Sequence, residues 1–412
     1  MLTKLARIKS DLENLAKFNL TPGSGLTRFS LTEADREARE YLKNELEEIG
    51  VEVYEDQAGS IFGRMEGTKE DAPVIMIGSH FDSVKYGGKF DGTAGVVMAL
   101  EVLRVLKEQG IQTKYPVEFV AMIEEEGGRF GSGVFGSRAM AGDVTYQDLL
   151  NHKDEKGISM AEAFKNFGFD PEKIEEARRD PKDIKAFLEL HIEQGPVLEN
   201  ENKDVGLVDF IVGMNEFKVK VKGRPDHAGT TPMDMRKDAL AAASEVITKI
   251  DDFAREAGRG TVATVGSLDV SPGAANIVPG EVQFSVDIRS KYLDCMRNVR
   301  EEIKTALSEI KGKYDVEYSI ESLLDVEPVK LSSEIMDIFK EETKDNSLSY
   351  KEMISGAGHD AMIMASLTDT GLVFVPSRDG RSHCPEEWTD YSDLQKGIEL
   401  IYHTVLRLGG VK

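Results

Sequence analysis

The chain has few cysteines and no long apolar run. Only two of its 412 residues are cysteine, Cys295 and Cys384, which excludes a disulfide framework and favours a reducing compartment. No apolar run approaches the roughly 20 residues that a membrane span needs, and residues 1–9 lack the apolar core of a signal peptide. We therefore expect a cytoplasmic protein with no membrane partner.

Positive charge is also in short supply. The sequence has 51 basic and 74 acidic residues, a formal net charge of −23. Such a balance argues against nucleic acid and against anionic membrane surfaces as partners. It does not exclude a small anionic substrate, because one local arginine can outweigh a distant surface field across a Debye length of about 10 Å.

The length and the order of predicted elements indicate two domains. Strands alternate with helices early in the chain, which favours an α/β domain with a central, mainly parallel sheet. The predicted elements there are strands 52–55, 61–66, 74–78 and 117–123 and helix 93–109. The pattern changes near residue 212, where six elements follow the β-α-β-β-α-β order of a ferredoxin-like unit. They are strand 217–222, helix 235–258, strands 261–268 and 278–289, helix 294–311 and strand 316–320.

These patterns predict that one domain is inserted into the other. Residues 1–211 and 328–412 form one predicted domain, and residues 212–327 form the domain inserted into it.

Candidate metal ligands follow the predicted strands of the first domain. His80 comes just after strand 74–78, and Asp91 follows it after eleven residues. Three glutamates at 124–126 follow strand 117–123, and His191 and His383 stand beside glycine, acids or proline. A single histidine is more often a core or surface residue than a ligand, but imidazoles and carboxylates at strand ends are what a divalent metal site needs. The pattern favours a metal-dependent hydrolase with two metals.

Five long motifs resemble those of one enzyme family. They are Gly-Ser-His-Phe-Asp-Ser-Val at 78–84, Gly-Gly-Lys-Phe-Asp-Gly at 87–92, Glu-Glu-Glu-Gly-Gly-Arg-Phe at 124–130, His-Ile-Glu-Gln-Gly-Pro-Val-Leu-Glu at 191–199 and His-Ala-Gly-Thr-Thr-Pro-Met at 227–233. They look like those of the N-carbamoyl-L-amino-acid hydrolases, which are relatives of allantoate amidohydrolase and β-ureidopropionase. All belong to the aminoacylase and carboxypeptidase G-type dimetal hydrolases, and the resemblance spans nearly the whole chain.

The resemblance implies a ligand for each metal position. Asp91 would bridge two divalent ions, with His80 and His191 completing one site and Glu126 and His383 the other. Imidazole and carboxylate ligands suit zinc, manganese, cobalt or nickel, so the identity of the metal stays open.

Further roles near the metals come from the same resemblance. Asp82 would orient His80 by accepting its free N–H, although a turn-capping aspartate is the alternative. Glu125 would be the general base, and Glu124 is left without a role. A cis peptide after Asp91 is also implied.

Substrate residues are implied in both domains. Arg289 would grip the α-carboxylate, with a surface ion pair as the alternative, and His227 and Asn276 would contact the substrate and stabilise oxyanion charge. Gln194 would contact the carbamoyl amide, and Gly358 would line the pocket. The resemblance also implies that residues 1–211 and 328–412 form the catalytic, metal-binding domain and that residues 212–327 form a lid and dimerisation domain. In the implied homodimer, His227 reaches the active site of the partner.

The expected function is hydrolysis of the ureido C–N bond of an N-carbamoyl-L-amino acid, which releases the amino acid, ammonia and carbon dioxide. Allantoate or another ureide is the alternative substrate, and an aminoacylase or peptidase is a more distant one. A non-catalytic binding protein on the same scaffold is disfavoured by the intact set of candidate ligands.

Overall fold

The structure, a computed structural model, describes residues 1–411 and divides them into two compact units. Unit 1 comprises residues 1–209, 330–353 and those from 358 onwards, and unit 2 comprises residues 210–329 and 354–357. In the described part of the chain, no helix is both long and apolar enough to cross a membrane.

The α-helices are α1 Leu5–Leu15, α2 Glu33–Ile49, α3 Thr93–Glu108, α4 Phe135–Ala141, α5 Tyr146–Asn151, α6 Met160–Phe167, α7 Val197–Asn200, α8 Ala239–Ala257, α9 Leu293–Tyr314, α10 Ser333–Asp345, α11 Asp360–Met364 and α12 Tyr391–Leu408. The strands are β1 Glu52–Glu55, β2 Ile61–Met65, β3 Val74–His80, β4 Val117–Met122, β5 Ile184–Ile192, β6 Val205–Ile211, β7 Gly213–Lys222, β8 Asp226–His227, β9 Val262–Thr264, β10 Leu268–Ser271, β11 Ile277–Val278, β12 Glu281–Ser290, β13 Glu317–Val326, β14 Val329–Lys330, β15 Tyr350–Ser355 and β16 Asp369–Val375.

Unit 1 is built on a central sheet with the strand order β1-β2-β4-β3-β5-β16-β6-β14, and β15 pairs with β6. The four central strands, β4, β3, β5 and β16, are parallel. All seven residues of β3 are buried, as expected for a parallel strand that is covered on both faces. The predicted α/β fold with a central, mainly parallel sheet is confirmed.

Local sequence signals set the bounds of α2, the helix that precedes β1, and packing positions α3, the helix that follows β3. Helix α2 begins after Thr32, whose side chain accepts the N–H of Asp35, and ends at Gly50, which has a φ of +80°. Helix α3 buries Val96, Leu100 and other apolar residues on nearly all sides. It packs against β3, the strand that leads into the candidate site.

Unit 2 is a five-stranded sheet with two long helices. Its order is β10-β12-β7-β13, with β9 also paired to β12, and every pairing is antiparallel. Along β7, Phe217 and Val219 are buried against α8 and α9, whereas Lys218 and Lys220 are partly exposed. This alternation is typical of a sheet that is covered on one face.

The single strand predicted at 261–268 is wrong in detail. The structure has two strands, β9 and β10, which pair with different parts of β12. Between them, the N–H of Ser267 donates to the hydroxyl oxygen of Ser285 over 3.0 Å. A side chain thus takes the place of a backbone partner, which interrupts the ladder. Residues 354–357, assigned to the first domain by sequence, group with unit 2.

Candidate metal centre

Three neighbouring parallel strands deliver candidate ligands to one edge of the central sheet. His80 is the last residue of β3, and His191 is the last but one of β5. Glu125 and Glu126 follow β4, which ends at Met122. Because the carboxyl ends of parallel strands lie side by side, the sheet gathers residues that are far apart in sequence.

Asp91 reaches this edge through the turn before α3. Gly92 has a φ of +60°, and its N–H donates to His191 Nε2 over 3.2 Å. A Cβ atom at Gly92 would lie 2.3 Å from the His80 ring, so glycine is required there. The implied cis peptide after Asp91 is wrong, since the one cis bond among residues 1–411 is Ser271–Pro272. The positive φ of Gly92 makes the turn instead.

One group of candidate donor atoms combines His80, His191 and Asp91, all of them buried. Asp91 Oδ1 lies 3.4 Å from His80 Nε2 and 3.2 Å from His191 Nε2. His191 Nδ1 lies 3.0 Å from the carbonyl oxygen of Ile192, so we assign the proton to Nδ1. The lone pair of His191 Nε2 then faces the group, which is the arrangement that metal-binding histidines adopt.

A second group uses the other oxygen of the same aspartate. His383 Nε2 lies 3.5 Å from Asp91 Oδ2 and 3.3 Å from Glu126 Oε1. The His383 side chain is 49% exposed, so this group faces solvent more than the first. Asp91 is therefore shared by the two groups.

The donor atoms fit a divalent metal. Within each group, the ligand atoms lie within 4.8 Å of one another, and a third combination, His80 with Glu125 and Glu126, meets the same condition. Glu126 Oε1 is buried and has no hydrogen bond. A buried carboxylate oxygen without a partner is costly, and a cation held with His383 and Asp91 would provide that partner.

Comparison with known proteins identifies the family. Residues 76–407 match the model described as Peptidase family M20/M25/M40. The chain belongs to the M20/M25/M40 peptidase family. This family is metal-dependent, which agrees with the clustered histidine, aspartate and glutamate side chains.

Individual relatives of this M20-family chain cover its full length. It is 45% identical to the N-carbamoyl-L-amino-acid amidohydrolase of Paenarthrobacter aurescens, over 98% of this chain and 97% of that one. It is 36% identical to the allantoate amidohydrolase of Bacillus subtilis, over 96% of each chain. A crystal structure of a hydantoinase/carbamoylase family amidase from Burkholderia multivorans superposes with a TM-score of 0.90 at 32% identity, covering 99% of this chain and 98% of that one. The family resemblance predicted from the sequence is confirmed.

The M20-family site concentrates charge in a buried space. Burial, together with the charge of Glu126, raises the pKa of Glu125 well above its usual range. Burial and the charge of Asp91 raise the pKa of Glu126. Burial alone would lower the pKa of His80, but the charge of Glu125 and the contacts with Asp82 and Asp91 raise it well above its usual value. The carboxylate of Glu126, 3.3 Å from His383 Nε2, raises the pKa of His383 to about 9. A cation at these atoms would compete with protons for the same lone pairs.

Asp82 connects two of the strand ends. Its carboxylate accepts the N–H of Glu125 over 3.0 Å and that of Glu126 over 3.2 Å, and Oδ1 lies 3.5 Å from Nδ1 of His80. It therefore caps the glutamate turn. The hydrogen-bond partner of His80 Nδ1 is the backbone carbonyl of Asp82, at 3.3 Å, so the orienting of His80 by the Asp82 carboxylate stays a prediction.

The remaining acid of the glutamate run has a structural role. Glu124 Oε1 accepts the N–H groups of Arg129 and Phe130, at 3.3 and 2.9 Å. Burial and the charge of Asp82 raise the pKa of Glu124 to about 7. Glu124 thus holds the turn that carries its two neighbours.

Three residues at this edge that are not glycine have a left-handed backbone. They are Glu124 with a φ of 55°, Gln194 with 57° and His383 with 55°. Such conformations cost energy in residues with a Cβ and cluster at functional sites.

Gln194 and Gly358 are the predicted substrate residues of unit 1. Gln194 Nε2 donates to Asp91 Oδ2 over 2.7 Å, so its amide lies beside the candidate ligands. Gly358 lies in the loop between β15 and α11, directly before His359. The ring of His359 is buried 4.6 Å from the ring of His191.

The predicted substrate residues of unit 2 lie on β8 and β12 and directly before β11. His227 lies on β8, which pairs with β11. The N–H of Ala228, the next residue, donates to the carbonyl of Asn276 over 2.9 Å. Arg289 on β12 makes an ion pair with Asp287 at 3.0 Å and donates to the carbonyl of Gly356 over 2.7 Å. The surface ion pair considered from sequence is present, and a substrate role for these residues stays a prediction.

Two buried acids near the ligands were missed by the sequence analysis. Glu189 accepts the hydroxyl of Ser79 over 2.6 Å and the N–H of Ala361 over 2.9 Å. A charged residue inside the apolar strand 186–190 was a usable signal for it. Glu387 is also buried, but its neighbour Glu386 is exposed, and nothing in the sequence distinguishes the two.

Proposed function

We propose that this chain is a metal-dependent amidohydrolase that cleaves the ureido C–N bond of N-carbamoyl-L-amino acids and releases the amino acid, ammonia and carbon dioxide. The observation that carries the proposal is the sharing of one buried aspartate, Asp91, between two groups of imidazole and carboxylate donors. The 45% identity to the N-carbamoyl-L-amino-acid amidohydrolase of Paenarthrobacter aurescens supports the choice of substrate.

In this proposal the two groups would hold two divalent ions. His80 and His191 would hold one, Glu126 and His383 would hold the other, and Asp91 would contribute to both. Zinc, manganese, cobalt and nickel all suit such donors. When bound, the ions would lower the pKa of a water and polarise the carbonyl that it attacks.

Glu125 is the proposed general base. Its Oε2 lies 3.6 Å from His80 Nε2, at the rim of the first group, and its backbone N–H is fixed by Asp82. From there its carboxylate takes a proton from the attacking water and gives it to the departing nitrogen. The buried surroundings that raise the pKa of Glu125 suit a group that must both accept and donate a proton.

The roles of the substrate residues complete this proposal. Arg289 takes the α-carboxylate through its planar guanidinium, and Gly358 lines the pocket. Gln194 contacts the carbamoyl amide through its carbonyl oxygen, since its nitrogen donates to Asp91. His227 and Asn276 stabilise the developing oxyanion. Nδ1 of His227 accepts a backbone N–H over 3.0 Å, which leaves Nε2 to carry the proton that such a role requires.

We also propose a cytoplasmic homodimer. The two free cysteines, Cys295 and Cys384, suit a reducing compartment. We assign dimerisation to unit 2. Light scattering on the purified protein tests this by measuring its molar mass in solution. A monomer at all concentrations would refute this part of the proposal.

A substrate panel tests the reaction. Ammonia release is measured with N-carbamoyl-L-methionine and allantoate, release of the free amino acid is measured with an N-acetyl amino acid, and metal content is determined on the same sample. We expect the carbamoyl amino acid to be the best substrate, with activity lost on chelation and restored by added metal. Preference for allantoate would instead assign allantoate hydrolysis, the activity for which the Bacillus subtilis relative is named. Preference for the acetyl compound would refute ureide hydrolysis.

Replacement of the base tests the mechanism. Glu125→Gln keeps the shape of the side chain but removes the proton acceptor, so we expect turnover to fall by about 10²–10⁴-fold while metal content stays unchanged. Glu40→Gln is the matched control, because Glu40 is exposed on α2. Turnover by Glu125→Gln within a few fold of wild type would contradict the assignment.

A further inference from the structure

One buried carboxylate stands directly behind the shared aspartate. Glu387 follows His383 by four residues and is 4% exposed. Its Oε1 accepts the N–H groups of Phe90 and Asp91, at 2.9 and 3.1 Å. The backbone that presents the Asp91 side chain is therefore fixed by a side chain from a distant part of the sequence.

The second oxygen of Glu387 reaches the Asp91 side chain through a hydroxyl. Ser382 Oγ lies 2.8 Å from Glu387 Oε2 and 2.7 Å from Asp91 Oδ2. Ser382 directly precedes His383, so one carboxyl group connects the Asp91 turn with the loop that carries the exposed candidate ligand. Glu387 therefore contacts Asp91 in two ways, directly through the Asp91 backbone N–H and indirectly through Ser382. Asp91 is the residue common to the two donor groups.

Packing leaves Glu387 little freedom to move. A Cβ atom on Gly88 would lie 2.2 Å from its carboxyl group, so the chain passes too close for any side chain there. The ring of the next residue, Trp388, meets the Phe90 ring edge-on at a centroid distance of 5.4 Å. Lys89 Nζ lies 4.8 Å from the centre of the Trp388 ring. The carboxyl group is thus held in one position.

We propose that Glu387 is a positioning residue for the metal centre: it fixes Asp91 and, through Ser382, the His383 loop in the arrangement that binds cations. This inference rests on the proposed function, because it assigns Glu387 to the metal centre of that function. Outer partners of metal ligands change metal affinity by about 10–100-fold when they are replaced.

A purely structural role would give a different result. If Glu387 only stabilised the loop, its loss would lower the unfolding temperature while the folded protein still bound metal normally. Metal affinity, measured without substrate, distinguishes the two roles.

The experiment titrates Co²⁺ into metal-stripped protein by calorimetry and records the visible absorption of the bound ion, which reports its coordination. We expect Glu387→Ala to bind Co²⁺ about 10–100-fold more weakly than wild type and with an altered spectrum. Glu387→Gln keeps an oxygen for the two N–H groups and an N–H₂ for Ser382, so its affinity should return to near the wild-type value. Glu386→Ala is the matched control, since Glu386 is 59% exposed and pairs with Arg381 in the same loop.

Two results would overturn the inference. One is a folded Glu387→Ala protein with wild-type affinity and spectrum, and the other is Glu387→Gln as impaired as Glu387→Ala. If Glu387→Ala does not fold, Ser382→Ala replaces it, because it removes only the bridge to Asp91. We expect that variant to bind about three- to tenfold more weakly, and unchanged affinity would again overturn the inference.

The same measurements separate this inference from the proposed function. Wild-type protein that binds no Co²⁺ would refute both. Wild-type protein that binds Co²⁺ but hydrolyses no ureide would refute the substrate assignment and leave the role of Glu387 supported by the affinity data.

Discussion

Replacing Asp82 with asparagine tests whether the metal centre depends on the residue that joins β3 to the glutamate turn. The wild-type carboxylate accepts two backbone N–H groups, at 3.0 and 3.2 Å. Each hydrogen bond to a charged acceptor contributes about 1.5–3 kcal/mol. In Asp82→Asn one oxygen still accepts, but the amide N–H₂ faces the other N–H, so at least one bond is lost and replaced by repulsion.

The consequence for metal binding follows from what those bonds hold. The two N–H groups belong to Glu125 and Glu126, and the same carboxylate faces His80 Nδ1 at 3.5 Å. Loss of the bond lets the glutamate turn move and removes the negative partner of His80. We expect metal affinity to fall by about 10–100-fold. Turnover should recover partly when metal is added in excess, because Glu125 itself is intact.

The assay is calorimetric titration of metal into stripped protein, with ammonia release measured at each metal concentration. Asp148→Asn is the control, because Asp148 accepts the N–H and hydroxyl of Thr145 at 2.8 and 2.7 Å and belongs to none of the three candidate metal groups. Unchanged metal affinity in Asp82→Asn, or an equal loss in the control, would refute the reasoning.

Three further predictions concern one turn and two buried acids. Gly92→Ala would place a Cβ atom 2.3 Å from the His80 ring, so metal affinity should fall by at least about tenfold. Burial raises the pKa of Asp56 to about 7. The folded state therefore favours the neutral carboxyl group, and the stability of the protein falls as pH rises from about 4 to 7. In urea unfolding, Asp56→Asn should be on the order of 2–4 kcal/mol more stable than wild type at pH 8 and little different at pH 4. Burial would raise the pKa of Glu399, but hydrogen bonds from His403 and Thr3 lower it to about 2. The contribution of Glu399 to stability is therefore present above pH 4.5 and is lost as pH falls towards 2. Glu399→Gln should speed hydrogen exchange in α1 at pH 7.

Each of these has an outcome that contradicts it. Normal metal binding by Gly92→Ala would mean that the turn moves without cost. A stability difference for Asp56→Asn that does not depend on pH would mean that the carboxyl group does not titrate in this range. Unchanged exchange in Glu399→Gln would mean that α1 is held by its apolar contacts alone.

Much of unit 1 could be predicted from the sequence because its strands are short, apolar and followed by polar residues. The bounds predicted for β1 agree with the structure, and those for β3 and β4 differ by no more than two residues. The same pattern located His80 and the glutamate run at strand ends, and parallel strands bring such ends together. In unit 2, the alternation of apolar and polar residues located β7 and β12.

What the sequence could not supply depends on tertiary contacts. Glu386 and Glu387 are identical neighbours, and only the fold buries one of them against the Asp91 turn. The interruption between β9 and β10 depends on the hydroxyl of Ser285, which lies on another strand. The turn at Asp91 is made by the backbone of Gly92, a conformation that the family resemblance did not indicate.

The left-handed residues Glu124, Gln194 and His383 place this protein under two opposing demands. Glycine at any of the three would relieve about 1 kcal/mol or more of backbone energy, and variants selected for heat resistance alone would drift towards it. Each such change would remove a side chain that touches the candidate ligands or holds the turn beside them. Heat resistance is therefore better sought at positions outside this edge, and an unusually durable natural relative should still avoid glycine at these three.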